Sequence, residues 1–308
     1  MSPAKTRKKS STASTGDAES LLPTKRGAKS LVVGVVFALA LFCVWSKHKN
    51  LSVDERKRGM IGLSLGVLIA ILHNVDKIPQ SQLYHNFADN RCFCCVPNTF
   101  DVASNIPFLF VGLLGGDFIY TGPLSKAYNI EPPTFQAPYE REGWIIYFAA
   151  IALVAAGSGY YHWRPNSQRL VWDRLPMSIA FGSLYYIVLD ETAGYQDVRL
   201  LLGLVSFSVF SVVYWAFTDD LRIYAFVQGY FLLTIPVYYI LFSERVRYEN
   251  YKQIFVSLGF YALAKMTEKF DKQVFALTGR TVSGHTLKHL LAGIATGWGI
   301  LILQQRRQ

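Results

Sequence analysis

The sequence predicts an all-α, polytopic membrane bundle, and three observations carry that reading. Of 308 residues, 51% are hydrophobic and 17% are charged, where an ordinary soluble domain carries about 25% charge. Apolar runs of membrane length, about 17 to 25 residues, recur along the whole chain. Tyr and Trp gather near the ends of those runs, as they do in interfacial belts.

Nine such runs cover 30–46, 58–75, 104–120, 143–163, 174–192, 199–217, 221–242, 251–268 and 285–304. They divide the chain into a disordered basic tail (1–29), two N-terminal membrane helices (30–76) and a seven-helix domain (77–308). The tail holds Lys5, Arg7, Lys8, Lys9, Lys25, Arg26 and Lys29 among Ser, Thr and Ala, with almost nothing to bury. Ahead of a first span, this share of the net charge of +10 reads as a topology signal or a contact with anionic headgroups. It is not the footprint of a nucleic-acid binder. No small-residue cleavage motif follows the first run, since SKHKNLSVDERKRG is strongly charged, so that run reads as a span or signal anchor. Cys92, Cys94 and Cys95 match no common zinc spacing and read as juxtamembrane thiols, free or lipidated, or as one disulfide on an oxidising face. The loop 121–142, with Pro123, Pro132, Pro133 and Pro138, reads as an exposed irregular connection.

Ionisable groups at the edge of a hydrocarbon slab are costly and need a reason. Four stand out: His162 in GSGYYHWRPN, Asp173 in LVWDRLPM, and His285 with His289 in SGHTLKHLLAG. Counting crossings puts all four on one face. The fourth run ends there with His162, Asp173 opens the fifth, and the ninth begins there with the other two histidines. His285 and His289 stand at i and i+4, stacked on one side of a helix, and Ser158 stands in the same relation to His162. Gly157 and Gly159 around Ser158 permit close approach of another helix or a ligand. Taken singly, each group has an ordinary explanation: an interfacial histidine, an Asp cap, a Ser bonded to its own i−4 carbonyl. Taken together, three imidazoles with no fourth strong protein ligand favour zinc with one position open for water.

Other polar groups read as structural. His48 and His73 are interfacial or core groups, and Lys265 and Lys269 flank Glu268 as ion-pair partners. Lys288 is expected to extend to the interface, and Asp190 and Glu191 are left outside the site.

The pattern Ser158-x3-His162-x10-Asp173 followed by His285-x3-His289 resembles the alkaline ceramidase family. It also fits the wider CREST membrane hydrolase superfamily, which includes the adiponectin and progestin receptors and a branch that remodels GPI lipids. The similarity covers about 84–305, in DVASNIPFLFVGLLG, GSGYYHWRPNSQRLVWDRLPM and SGHTLKHLLAG. The wording YHNFADNR and PNTFDVASN looks most like the bacterial and plant ceramidase-like subgroup.

The resemblance implies a seven-helix CREST-like core preceded by about two extra helices, with zinc on His162, His285 and His289. Asp173 would act as base and then acid, and Ser158 would hydrogen-bond near the metal or steady an oxyanion. The activity implied is zinc-dependent hydrolysis of the N-acyl bond of a ceramide-like lipid. The alternative is a receptor-like member, or one that remodels GPI or phospholipid esters. Alkaline ceramidases also carry a calcium site ahead of their first core helix. Aligned from Ser104-Asn105, this chain keeps Asp89 and Asn98, with Asp101 close by, while Tyr84 or His85 replaces other expected ligands. A weaker calcium site and a structural reading, with Asp89 paired to Arg91 and Asn98 and Asp101 capping the third span, stand on equal terms. The partner expected is a membrane lipid, with no nucleic acid and no obligate protein partner. In a eukaryote the location expected is the endoplasmic reticulum or Golgi. Lys and Arg lie on both faces and do not fix the orientation.

Overall fold

Twelve α-helices account for nearly all regular structure in the computed structural model, which describes residues 25–306. They are α1 (Lys25–His48), α2 (Val53–Asn74), α3 (Thr99–Ala103), α4 (Ile106–Tyr120), α5 (Pro123–Ala127) and α6 (Glu140–Trp163). The remainder are α7 (Ser167–Ala193), α8 (Val198–Thr218), α9 (Arg222–Leu241), α10 (Gln253–Lys269), α11 (Asp271–Leu277) and α12 (Gly284–Gln304). The only β feature among the described residues is an isolated bridge between Phe93 and Val96. Residues 1–24 of the expected tail lie outside the described residues, and Lys25 to Lys29 already belong to α1.

Each of the nine apolar runs falls on a helix, and among the described residues five helical segments are long and apolar enough to cross a membrane. These are Thr99–Tyr120, Glu140–Trp163, Val198–Thr218, Arg222–Leu241 and Gly284–Gln304. Large apolar side chains such as Phe110, Leu113, Leu153, Leu202, Phe217 and Leu301 face outward from them. That combination is the mark of a multi-pass membrane protein. The other four runs lie on helices whose described residues do not reach that combination of length and apolarity. Helix α7 contains Arg169, Asp173, Arg174, Asp190 and Glu191, too many charges for a lipid-facing segment. It tolerates them because it is the central helix, packed against α6, α8 and α9. Helix α10 has 17 residues, and α1 and α2 pack at the periphery against α9.

The helix starts also differ from expectation. Asn166 caps α7, its side chain accepting from the Arg169 amide, so Asp173 sits inside the helix instead of opening it. The third run is preceded by a short helix: α3 ends at Ala103, and Ser104 and Asn105 separate it from α4, which fills the rest of the run. Within α7, Pro176 has no N–H for the Trp172 carbonyl four residues back. Gly157 on α6 leaves room for that carbonyl, since a Cβ there would lie 2.1 Å from the Trp172 oxygen. Gly159 meets nothing within 4 Å and has no such role. The close approach at Gly157 brings Ser158 on α6 beside Asp173 on α7.

At the opposite end of the same helices lies a buried charge cluster. Arg306 bonds Glu140 at the start of α6 and Glu191 near the end of α7, while Arg247 bonds Asp190 at 2.7 Å. The Arg306 guanidinium also stacks on the Tyr248 ring, 4.0 Å from its centroid. The three acids and Arg306 are buried. Removing one partner from such a cluster leaves uncompensated charge and costs about 3–5 kcal/mol. Arg306→Met is therefore expected to lower the thermal midpoint of the detergent-solubilised protein markedly. An unchanged midpoint would mean that this cluster does not hold α6, α7 and α12 together.

Candidate metal centre

The three histidines meet. His162 in the last turn of α6 and His285 and His289 in the first two turns of α12 each bring one ring nitrogen within 4.8 Å of the others. All three are buried. No other group of three or more His, Cys, Asp or Glu among the described residues is arranged to hold a metal ion.

The start of α12 is fixed by its own cap and by bonds from α11 and α3. The Ser283 hydroxyl caps the helix by accepting from the Thr286 amide at 2.9 Å. The Asp271 carboxylate accepts from the His285 amide at 2.8 Å and from the Ala88 amide at 2.8 Å. Asp101 accepts from the Thr286 hydroxyl at 2.7 Å and the Ser283 hydroxyl at 3.2 Å. Gly284 permits this junction, because a Cβ there would lie 2.3 Å from the Thr267 carbonyl oxygen. These bonds fix which way the first turn of α12 faces, and with it the two imidazoles.

The ring nitrogens themselves suit a cation. His162 Nε2 and His285 Nε2 are 3.2 Å apart. Two nitrogens on a tetrahedral ion at bonds of about 2.0–2.1 Å would be separated by roughly 3.3 Å. His289 Nδ1 is 2.8 Å from the Ser104 hydroxyl, leaving its Nε2 buried with no hydrogen-bond partner. Buried polar atoms are rarely left unpaired, so an orphaned imidazole nitrogen beside two others points to a ligand. Ser104 holds the far side of the ring as outer partners of metal-bound histidines do. Phe87 covers the centre from the connector between α2 and α3, its ring 4.7 Å from that of His162 and 4.3 Å from that of His285.

Ser158 and Asp173 line a cavity of about 240 Å³ together with His289. On α6 its lining runs from Ser158 through Val154 and Ile151 to Tyr147, and on α7 from Asp173 through Met177 and Ala180 to Leu184. Eleven helical rises along each wall give it a depth of about 16 Å. The cavity is therefore polar beside the histidines and apolar beyond them.

Glu268 and Lys288 were assigned outside the site, and the structure places both in this lining. Lys288 does not extend to the interface: its ammonium lies 3.0 Å from Glu268 and 3.4 Å from His285 Nε2, because a buried acid on α10 faces it. Glu268 also pairs with Lys265 as expected, while no pair forms with Lys269 among the ion pairs of the described residues. Asp89, Asn98 and Asp101 have separate partners. Asp89 pairs with Arg91 at 2.6 Å. Burial pushes the Asp89 carboxyl up, but the Arg91 hydrogen bonds and charge outweigh it and hold it below the usual range. The Asn98 side chain, expected as a helix cap, instead donates to the His162 carbonyl at 2.8 Å. Asp101 serves α12, as described.

Phe87, Ser104 and Asp271 are the contributors that sequence reasoning did not assign. Ser104 opens the third run beside Asn105, but nothing in the sequence told which helix it would face. No family model matches the chain, and no curated protein matches it.

Ser104→Ala is expected to weaken metal binding about 10–100-fold without abolishing it, as loss of an outer partner does. Competition with a graded series of chelators measures this. Equal metal retention in the variant and the parent would remove Ser104 from the centre.

Proposed function

We propose that the chain is an integral-membrane, zinc-dependent amidohydrolase that cleaves the N-acyl bond of a ceramide-like lipid. The observation that carries the reading is the convergence of three buried imidazoles, two of them with an unpartnered nitrogen, beside a serine and a carboxylate at the polar end of an apolar cavity. The resemblance of the motifs around these residues to alkaline ceramidases supports the same reading.

His162, His285 and His289 would hold the zinc, and the absence of a fourth strong protein ligand among them favours an open position. Bound zinc acidifies water toward neutral pH and polarises a carbonyl. The apolar walls around Ile151, Val154, Met177 and Ala180 accept an acyl chain and exclude bulk water from the reacting end. An acyl chain in that space puts its amide near Asp173 and Ser158. Asp173 takes a proton from the attacking water and returns it to the leaving nitrogen, the two-step role of a general base and acid. Ser158, on the facing helix, donates its hydroxyl hydrogen toward the oxygen that gains negative charge in the tetrahedral step. Asn98 and Ser104 fix the backbone of His162 and the ring of His289, so that these groups are oriented before the lipid arrives.

The test is a panel of lipids presented in mixed micelles to purified protein: ceramide, a phospholipid ester and a GPI-type ester. Release of fatty acid from the amide and not from the esters is expected. Asp173→Asn is expected to reduce that release by 100-fold or more, since a positioned proton donor is worth about 10²–10⁴ in rate. Ester cleavage with the amide intact, or undiminished turnover in Asp173→Asn, would overturn the assignment.

A further inference from the structure

Among the described residues two arginines are buried, Arg306 and Arg174, and only Arg306 meets an acid. Arg306 and Arg247 bond acids at the end opposite the metal centre, Lys288 pairs with Glu268, and Arg222 pairs with Asp220. Arg174 is 6% exposed, and among the described residues no carboxylate oxygen lies within 4.0 Å of it. Asp173 precedes it directly, but consecutive residues on a helix do not face each other. The Arg174 guanidinium instead sits among aromatic rings, 4.2 Å from the centroid of Trp215, 4.6 Å from that of Tyr224 and 5.6 Å from that of Tyr84. Its Nη2 donates to Gln80 Oε1 at 2.7 Å, and its Nη1 has no acceptor.

Aromatic faces soften the burial of a cation but supply no lone pair, and a guanidinium is built to grip two oxygens of one anion. A desolvated, permanently charged group without a counter-ion is costly, and a site that is polar and concave is where a ligand supplies the missing charge. Arg174 lines the cavity. It lies one residue from the proposed base, at the polar end, while the apolar lining extends away from it. Resting on the amidohydrolase reading, this placement puts Arg174 against the amine half of the lipid once the acyl chain fills the apolar part.

We infer that Arg174 is a specificity residue that binds an anionic oxygen, phosphate or carboxylate, on the amine half of an N-acyl lipid. The preferred ligand is then an acidic lipid amide and not a neutral one. Tyr84, Tyr224 and Gln228, which line the same cavity, add hydroxyl and amide groups for the remaining oxygens.

Three lipids with the same acyl chain test this: a ceramide, its phosphate monoester, and an N-acyl amino acid. Each competes with a fluorescent neutral acyl analogue for binding to the metal-loaded, full-length protein in detergent. At least one acidic lipid is expected to displace the probe at a concentration roughly tenfold or more below that of ceramide, the effect of one charge-assisted hydrogen bond. The arm that wins identifies phosphate or carboxylate. Arg174→Gln should close the gap between the acidic and neutral lipids, and Arg174→Lys should keep part of it. A purely structural role would weaken all three lipids alike. Equal binding of all three to the parent protein overturns the inference even if the variants fail to fold, and so does an undiminished gap in Arg174→Gln. Hydrolysis of ceramide with no acidic preference would defeat this inference and leave the amidohydrolase reading standing. An Arg174-dependent preference without turnover of any of the three would do the reverse.

Discussion

Polar groups inside a helical membrane bundle have no water to turn to, so they must satisfy one another or a ligand. That constraint organises this chain at both ends of the same three helices. α6, α7 and α12 each carry ion-paired groups at one end: Glu140 on α6, Asp190 and Glu191 on α7, and Arg306 just past the end of α12. At their other ends the same helices carry His162, Asp173 and His285 with His289. In the first set every acid meets an arginine, and Arg306 Nε alone among its guanidinium nitrogens lacks an acceptor. In the second, one ring nitrogen each of His162 and His289 lacks a partner, and the neighbouring Arg174 has no acid at all. A cation and a ligand would supply what is missing at that end.

The cavity between the two ends links them. Its walls are faces of the same three helices, completed by α9 and α10. At Gly157 the α7 backbone comes close to α6, with the Trp172 carbonyl released by Pro176 occupying the room a side chain would take. This explains how Ser158 and Asp173, on different helices, come to line one space.

Much of this was legible in the sequence, and the parts that were not have identifiable causes. The i, i+4 pair His285 and His289 and the helix-end position of His162 were readable because helical periodicity and crossing parity are properties of the chain itself. The central place of α7 was not readable, because its charges mark it as atypical for a span and only its neighbours show how they are compensated. Asp173 was assigned to a helix start because the Asn166 cap lies before the apolar pattern begins. Lys288 was expected to reach toward water, since its partner Glu268 stands on another helix and no local pattern announces such a pair. Phe87, Asp271 and Ser104 act through tertiary contacts alone, and their neighbourhoods in the sequence resemble any connector or helix end. The solitary state of Arg174 is likewise invisible without coordinates, because it is defined by what fails to lie near it.

X-ray absorption at the metal edge of the purified, detergent-solubilised protein tests the central claim most directly. The account predicts zinc bound by three imidazole nitrogens at about 2.0–2.1 Å with one further light oxygen donor, and loss of the imidazole scattering pattern in His289→Ala. A sulfur shell, which would place the ion on Cys92, Cys94 or Cys95, or a signal unchanged in that variant, would contradict it.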